Sequence, residues 1–264
     1  MPIIPEHVSL FKRDASDDVV HHLTPTKDEK ITLIIIGVYI FLILILWKMP
    51  VLQHILYPFK LLTVSFHEFS HAAAGCCTGA KIQGIEVDPD EGGVTRMIGG
   101  IQCCTLPAGY LGSSMIGALL IFCGFQVNAS KYASIVLGLM LLIVLYWAKN
   151  WLPRILTVLF VGIIVGLWFL KGGAGLKYFV LFIGVMSCLY SVWDILEDLV
   201  FKKVNESDAS KFAKLTGCCP AQFWGVIWFF ISFIFLLAGV FFGLLAFHNE
   251  NESTHSIVIF NIYN

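Results

Sequence analysis

Residues 61–75 read LLTVSFHEFSHAAAG, which places a His-Glu-x-x-His motif inside an apolar run. His67 and His71 are four residues apart, so on a helix both imidazoles lie on one face and can bind one Zn²⁺. Glu68 is then placed to activate a zinc-bound water as the general base. Such polar side chains are costly in hydrocarbon unless a partner compensates them. The motif therefore predicts a buried zinc site, and the alternative is a polar patch on an apolar helix that is satisfied without metal.

The composition is that of a membrane protein. Of 264 residues, 58% are hydrophobic and 13% are charged, and the mean hydropathy is +0.82, whereas in soluble domains about a quarter of the residues are charged. We predict an all-α polytopic membrane protein with about six or seven transmembrane helices, embedded in the lipid bilayer. The net charge of -1 says nothing about nucleic acid, but no basic run suggests it, and we expect no nucleic-acid partner.

Seven apolar segments are long enough to span a bilayer. They divide the chain into a polar cytosolic arm (1–30), a single membrane-embedded domain (31–247) and a short polar tail (248–264). Lys and Arg favour the segments that seven spans with a cytosolic N-terminus place inside, which predicts a lumenal or extracellular C-terminus. The segments are 31–47, 55–75, 106–125, 132–148, 155–170, 178–198 and 223–247.

A catalytic zinc site takes three protein ligands and keeps one position open. Asp194 lies late in the sixth apolar segment, which runs in the same direction as the His-Glu-x-x-His segment, so their inner ends can meet. We therefore predict Asp194 as the third metal ligand. Asp198, one helical turn further, and Asp208, in the first turn of a predicted short helix, are alternative third ligands or active-site partners.

The segment after the motif helix has the pattern of a hairpin. Residues 81–87 alternate polar and apolar side chains, residues 88–93 read DPDEGG, and residues 94–98 can form the return strand. We predict a small β-hairpin at the cytosolic face, and a plain loop is the alternative. An exposed strand edge there can bind an unwound substrate segment through main-chain hydrogen bonds.

Several stretches, taken together and in order, resemble those of the site-2-protease-like intramembrane zinc metalloproteases, in the compact branch found in plants, fungi and bacteria. The resemblance runs from about residue 59 to residue 230, and the better-known members' Asn-Pro-Asp-Gly or Leu-Asp-Gly motif does not occur here. The stretches are HEFSHA (67–72), GGVT (92–95), PAGYLG (107–112), WDI (193–195) and SDA (207–209).

The resemblance implies a peptidase-like domain over residues 31–247. It implies a zinc metalloendopeptidase that cleaves membrane-spanning protein substrates, with the His-Glu-x-x-His helix and a later Asp completing the site. Two other functions are open: a catalytically inactive metal-binding scaffold and a transporter. The presence of Glu68 argues against the scaffold, and the absence of a second polar helix in a matching half argues against the transporter.

Overall fold

The computed structural model describes residues 25–49, 51–90, 92–201 and 207–263. These residues are mostly helical, and one two-stranded hairpin follows the second helix, so the predicted fold class is confirmed. Of the predicted arm, residues 1–24 lie outside the described part. The elements are α1 (Lys27–Lys48), α2 (Gln53–Cys77), β1 (Lys81–Val87), β2 (Gly93–Ile98), α3 (Gln102–Cys123), α4 (Val127–Trp147), α5 (Trp151–Phe169), a 3-10 turn (Leu170–Gly173), α6 (Ala174–Phe201), α7 (Asp208–Thr216) and α8 (Ala221–Tyr263).

Within the described residues, six helices are long and apolar enough to cross a membrane: α1, α3, α4, α5, α6 and α8. The protein is therefore an integral multi-pass membrane protein. Helix α2 forms where the second span was predicted, but its polar motif makes it too polar to count among these six helices. It is enclosed by the other elements instead, with most of its side chains from Leu61 to Ala72 buried.

Helix α3 lies at the centre and packs on α2, α6 and α8. Small residues let the backbones approach, since a Cβ at Gly117 would meet the carbonyl oxygen of Gly184 at 2.9 Å. Hydroxyls then bond across the helices, with Ser113 Oγ 2.8 Å from Ser191 Oγ and Ser114 donating to Ser232 Oγ at 2.8 Å. These contacts fix the central helices without leaving buried hydroxyls unsatisfied.

The order of contacts fixes the direction of each helix. Ser113 lies beside Ser191 and Gly124 beside Leu181, so α3 and α6 are antiparallel. Tyr39 donates to the Tyr178 carbonyl and Trp47 packs on Tyr190, so α1 and α6 are parallel. The C-terminal ends of α1, α4 and α6 and the N-terminal ends of α3, α5 and α8 consequently lie at one end of the bundle, which we call the site end.

The two terminal helices meet at the opposite end. Glu29, which with Thr26 forms the capping box that starts α1, has its Oε2 3.1 Å from Nδ1 of His248 in α8, and both side chains are buried. This contact is at odds with the seven-span topology, which put the N- and C-termini on opposite sides. The physical reason is that α2 begins after α1 at the site end and leads to the hairpin at the same end, so it adds no crossing. Helix α8 also continues through most of the predicted polar tail.

The hairpin is anchored at the site end by the junction of α4 and α5. Ala148 forms a parallel bridge with Ile85, Lys149 donates its backbone N–H to the Ile85 carbonyl at 2.9 Å, and the Asn150 side chain bonds both backbone polar groups of Val87. This junction occupies the outer edge of β1. The edge of β2 that faces away from β1 has no strand paired to it among the described residues.

Candidate metal centre

Three side chains from two distant segments converge at the site end. His67 Nε2 and His71 Nε2 lie 3.0 Å apart on α2, and Asp208 Oδ2 is 3.0 Å from the first nitrogen and 2.9 Å from the second. All three side chains are largely buried. Within the described residues, they are the one group of three or more His, Cys, Asp and Glu side chains close enough to hold a metal ion.

The hydrogen bond on the far side of His71 fixes its tautomer. Its Nδ1 is 2.7 Å from the backbone carbonyl oxygen of Thr105, which can only accept, so Nδ1 carries the hydrogen. In neutral His71 the lone pair is then on Nε2, directed at a carboxylate oxygen and at the second imidazole. A hydrogen bond from the other ring nitrogen to a backbone carbonyl is typical of metal-ligating histidines.

The donor set fits a zinc ion. Two imidazole nitrogens and a carboxylate oxygen are ligands that zinc accepts, and in a tetrahedral set at about 2.0–2.2 Å from the ion they lie roughly 3.3 Å apart. The separations of 2.9–3.0 Å are close to that value. A cation between Asp208 Oδ2 and His71 Nε2 replaces the repulsion of two lone pairs with two attractive contacts.

Helix α7 delivers Asp208 to this position. Ser207 caps the helix and accepts from the Ser210 backbone N–H, which puts Asp208 in the first turn, where a carboxylate also suits the helix dipole. Ala209 and Phe212 on the same helix are buried against α3 and α8. That packing turns the Asp208 side chain toward α2.

The electrostatics of Asp208 follow from its two neighbours. Burial alone raises the pKa of this carboxyl, but the charge of His71 and hydrogen bonds from His67 and His71 outweigh burial, so the pKa lies well below its usual range. The carboxylate therefore stays ionised, which is the form that binds a metal.

Glu68 is held by β2 rather than by the ligand residues. The hydroxyl of Thr95 lies 2.6 Å from Glu68 Oε2 and 2.9 Å from the Glu68 carbonyl oxygen. Gly93 lies directly over the carboxylate, since a Cβ there would be 2.5 Å from Oε1. Both residues belong to the GGVT stretch (92–95) that carries part of the family resemblance, but nothing in its pattern predicted a contact with Glu68.

Helix α3 also touches the imidazoles. A Cβ on Gly109 would lie 2.5 Å from His71 Nε2 and 2.5 Å from His67 Cε1. Tyr110, the next residue, packs its ring edge-on against His67 with centroids 4.7 Å apart. The PAGYLG stretch (107–112), one of those that carry the family resemblance, therefore approaches the ligands themselves.

Asp194, the third ligand predicted from sequence, does not join this group. On α6 its neighbour Trp193 packs on Trp47, and its other neighbour Ile195 belongs to the cluster that contains Tyr110 and Ala209. Because successive helical residues differ by about 100° in direction, Ile195 rather than Asp194 points toward the site. The structure brings Asp208, the alternative ligand, to the two histidines, and the Asp198 side chain lies outside the described part.

The match to a protein-family model covers residues 35–239, which include the metal group, Glu68 and the hairpin. The model is that of the Peptidase M50B-like family. The chain belongs to this family. The match agrees with the site-2-protease-like resemblance predicted from sequence. Comparison with curated proteins and with solved structures gives no match.

Membership of an M50B-like family places the chain among membrane metalloproteases. The geometry agrees with a metalloprotease site. Two imidazoles on one helix and a carboxylate from a later helix face one point, and a second carboxylate, that of Glu68, lies next to His67 in sequence. The elements that make this site are α2, β2, α3 and α7.

Proposed function

We propose that the protein is an intramembrane zinc metalloprotease that hydrolyses peptide bonds in the membrane-spanning segments of other proteins. His67, His71 and Asp208 would hold the zinc, and Glu68 would act as general base. The proposal rests on the contact of Asp208 with the two histidines, because this contact groups three metal-binding atoms beside Glu68. When bound, zinc lowers the pKa of water and polarises a carbonyl.

The chain's own residues supply the remaining functions. Glu68 is buried next to the ligands and takes a proton from the attacking water, while β2 holds its carboxylate in place. His71 is kept in the ligating tautomer by the Thr105 carbonyl. Burial at the site end limits the access of bulk water to the reacting groups.

The substrate would lie along β2. No other strand pairs with the outward edge of β2 among the described residues, whereas the α4–α5 junction occupies the corresponding edge of β1. Thr95 and Gly93 place this strand against Glu68. A substrate segment that unwinds and pairs with β2 would bring its backbone carbonyls to the metal group through main-chain hydrogen bonds, with little demand on sequence.

We further propose that the site end faces the cytosol. Basic residues favour the cytosolic ends of spans, and the connections between the six spans carry nine Lys and Arg at the site end and one at the opposite end. Cleavage would then fall in the cytosolic third of the substrate span, and both termini of the protease would lie on the other side. The nine are Lys48, Lys60, Lys81, Arg96, Lys149, Lys202, Lys203, Lys211 and Lys214, and the one is Lys171.

Substrate trapping tests the activity. Glu68→Gln keeps the proposed ligands and removes the base, so membrane-spanning proteins should copurify with this variant at full length. The same proteins should be shortened in cells that make the wild type. A Glu68→Gln variant that retains zinc but enriches no membrane-spanning protein, with unchanged protein lengths in the wild type, would support the inactive scaffold instead.

A further inference from the structure

The two oxygens of the Glu68 carboxylate have different surroundings. Oε2 is 2.6 Å from the Thr95 hydroxyl, a short distance that is typical of a hydroxyl donating to an ionised carboxylate. In the part of the chain that the structure describes, Oε1 receives no hydrogen bond, and it faces the Cα of Gly93. A side chain at position 93 would fill the space next to Oε1.

Thr95 reaches Glu68 at two points. The same hydroxyl oxygen is 2.9 Å from the Glu68 backbone carbonyl oxygen. A hydroxyl has one hydrogen to donate, and the shorter contact with the charged acceptor is the stronger of the two. The hydroxyl therefore donates to Oε2, and this bond ties the carboxylate to β2 and restricts rotation of the Glu68 side chain.

We propose that Thr95 is a positioning residue that binds Oε2 of Glu68 and so leaves Oε1 as the atom that takes the proton in hydrolysis. The inference rests on the proposed function. In that step one O–H bond of the attacking water breaks, the proton forms a bond to Oε1, and the remaining hydroxide adds to the peptide carbonyl carbon. The proton is later available for the amine that leaves.

In this arrangement the two carboxylate oxygens have different roles: Oε2 binds Thr95 and Oε1 takes the proton. Oε2 remains bound to Thr95 whether or not Oε1 carries the proton, because a carboxylic acid's carbonyl oxygen still accepts. The geometry of the base is thus the same before and after proton transfer. Gly93 contributes by leaving room beside Oε1.

The test uses the full-length zinc-loaded protein in detergent with three variants. Thr95→Val removes the hydroxyl at nearly constant shape, and Thr95→Ser keeps it. Thr63→Val is the matched control, since Thr63 is a buried threonine on α2 whose hydroxyl donates to the Phe59 carbonyl in its own helix. Zinc content, kcat and KM on a trapped membrane-spanning substrate, and acetohydroxamate affinity are measured for each.

We expect Thr95→Val to retain zinc and wild-type KM while kcat falls by at least about 10-fold, part of the roughly 10²- to 10⁴-fold that a general base contributes. Thr95→Ser should recover most of kcat, and Thr63→Val should match the wild type. Acetohydroxamate chelates the metal and gives its hydroxyl proton to the base, so its affinity should drop at least about 5-fold in Thr95→Val only.

Two results overturn the positioning role. One is an unchanged kcat and acetohydroxamate affinity in Thr95→Val, and the other is a parallel loss of zinc and kcat, which would indicate a structural role. If the wild type binds zinc and cleaves nothing, the proposed protease function fails, and acetohydroxamate affinity alone decides whether Thr95 holds Glu68.

Discussion

Asp208 Oδ2 lies 2.9 Å from His71 Nε2, although the two residues belong to helices separated by four of the six spans. With His71 Nδ1 bonded to the Thr105 carbonyl, both facing atoms carry lone pairs when the imidazole is neutral. The contact is therefore favourable only when a positive charge lies between them, which is either a proton or a metal ion. This relationship leads to the first two predictions.

Replacing either histidine should remove the metal. His67→Ala and His71→Ala should abolish stoichiometric zinc in the purified protein, because two ligands do not hold the ion that three hold. Glu68→Gln should retain zinc, since Glu68 is the base and not a ligand. Elemental analysis of the three variants beside the wild type is the measurement, and equal zinc in wild type and His67→Ala would rule out the site.

The two aspartates should behave differently. Asp208→Asn should weaken zinc binding by at least about 10- to 100-fold, the range seen even for outer-shell changes. Asp194→Asn is the matched control on α6 and should leave zinc binding within about twofold. Competition with a chelator of known affinity measures both, and an empty site in Asp194→Asn with a filled one in Asp208→Asn would restore the ligand predicted from sequence.

A single methyl group on α3 should disturb the ligands. Gly109→Ala places a Cβ at 2.5 Å from His71 Nε2, so the imidazoles must move and zinc content should fall severalfold. Gly138→Ala on α4 meets no atom within 4 Å and serves as the control. Zinc content and the thermal unfolding midpoint are compared, and full zinc in Gly109→Ala would contradict the close approach.

Both termini should be accessible from the same side of the membrane. The Glu29–His248 contact joins α1 and α8 at the end opposite the site. Tags at the N- and C-termini should therefore be digested together by protease added to one side of sealed vesicles. Two Asn-Glu-Ser glycosylation sequons begin at Asn205 and Asn251. If the site end is cytosolic, Asn251 should carry a glycan and Asn205 should not. Tags cleaved from opposite sides would restore the seven-span topology.

Cleavage should depend on how readily the substrate unwinds. A transmembrane helix has its backbone carbonyls in hydrogen bonds, so hydrolysis needs local unfolding first. Gly, Pro or Asn introduced into the cytosolic third of a trapped substrate's span should increase kcat, and Leu at the same positions should decrease it. Equal rates for both series would argue against an unwound substrate.

Much of the fold was predictable because the relevant signals are local. Apolar runs of span length gave helices, the alternation and turn chemistry of residues 81–98 gave the hairpin, and Ser207-Asp208 gave the start of α7. His67, Glu68 and His71 came from spacing alone. The sequence predicted α2 as a full crossing because its 25 residues are long enough for one, and only the packing indicates that it adds none.

The identity of the third ligand could not be predicted, because the sequence does not specify in which direction a helical side chain points within the fold. Asp194 lies late in the sixth predicted span and Asp208 follows that span, and the choice between them rests on the rotation of α6 and on the position of α7. Ile195 faces the site because it packs with Tyr110 and Phe212, which is a tertiary fact. The contacts of Thr95 and Gly93 with Glu68 likewise depend on hairpin register.

The separation of Asp208 from His67 by 141 positions has a consequence for biogenesis. Both histidines are synthesised before five of the six spans are complete, but their carboxylate partner emerges only after α6. A nascent chain therefore carries an unfinished metal group through most of its insertion into the bilayer. Metal loading, and with it any capacity to cut neighbouring chains at the site of synthesis, is deferred until five of the six spans have been made.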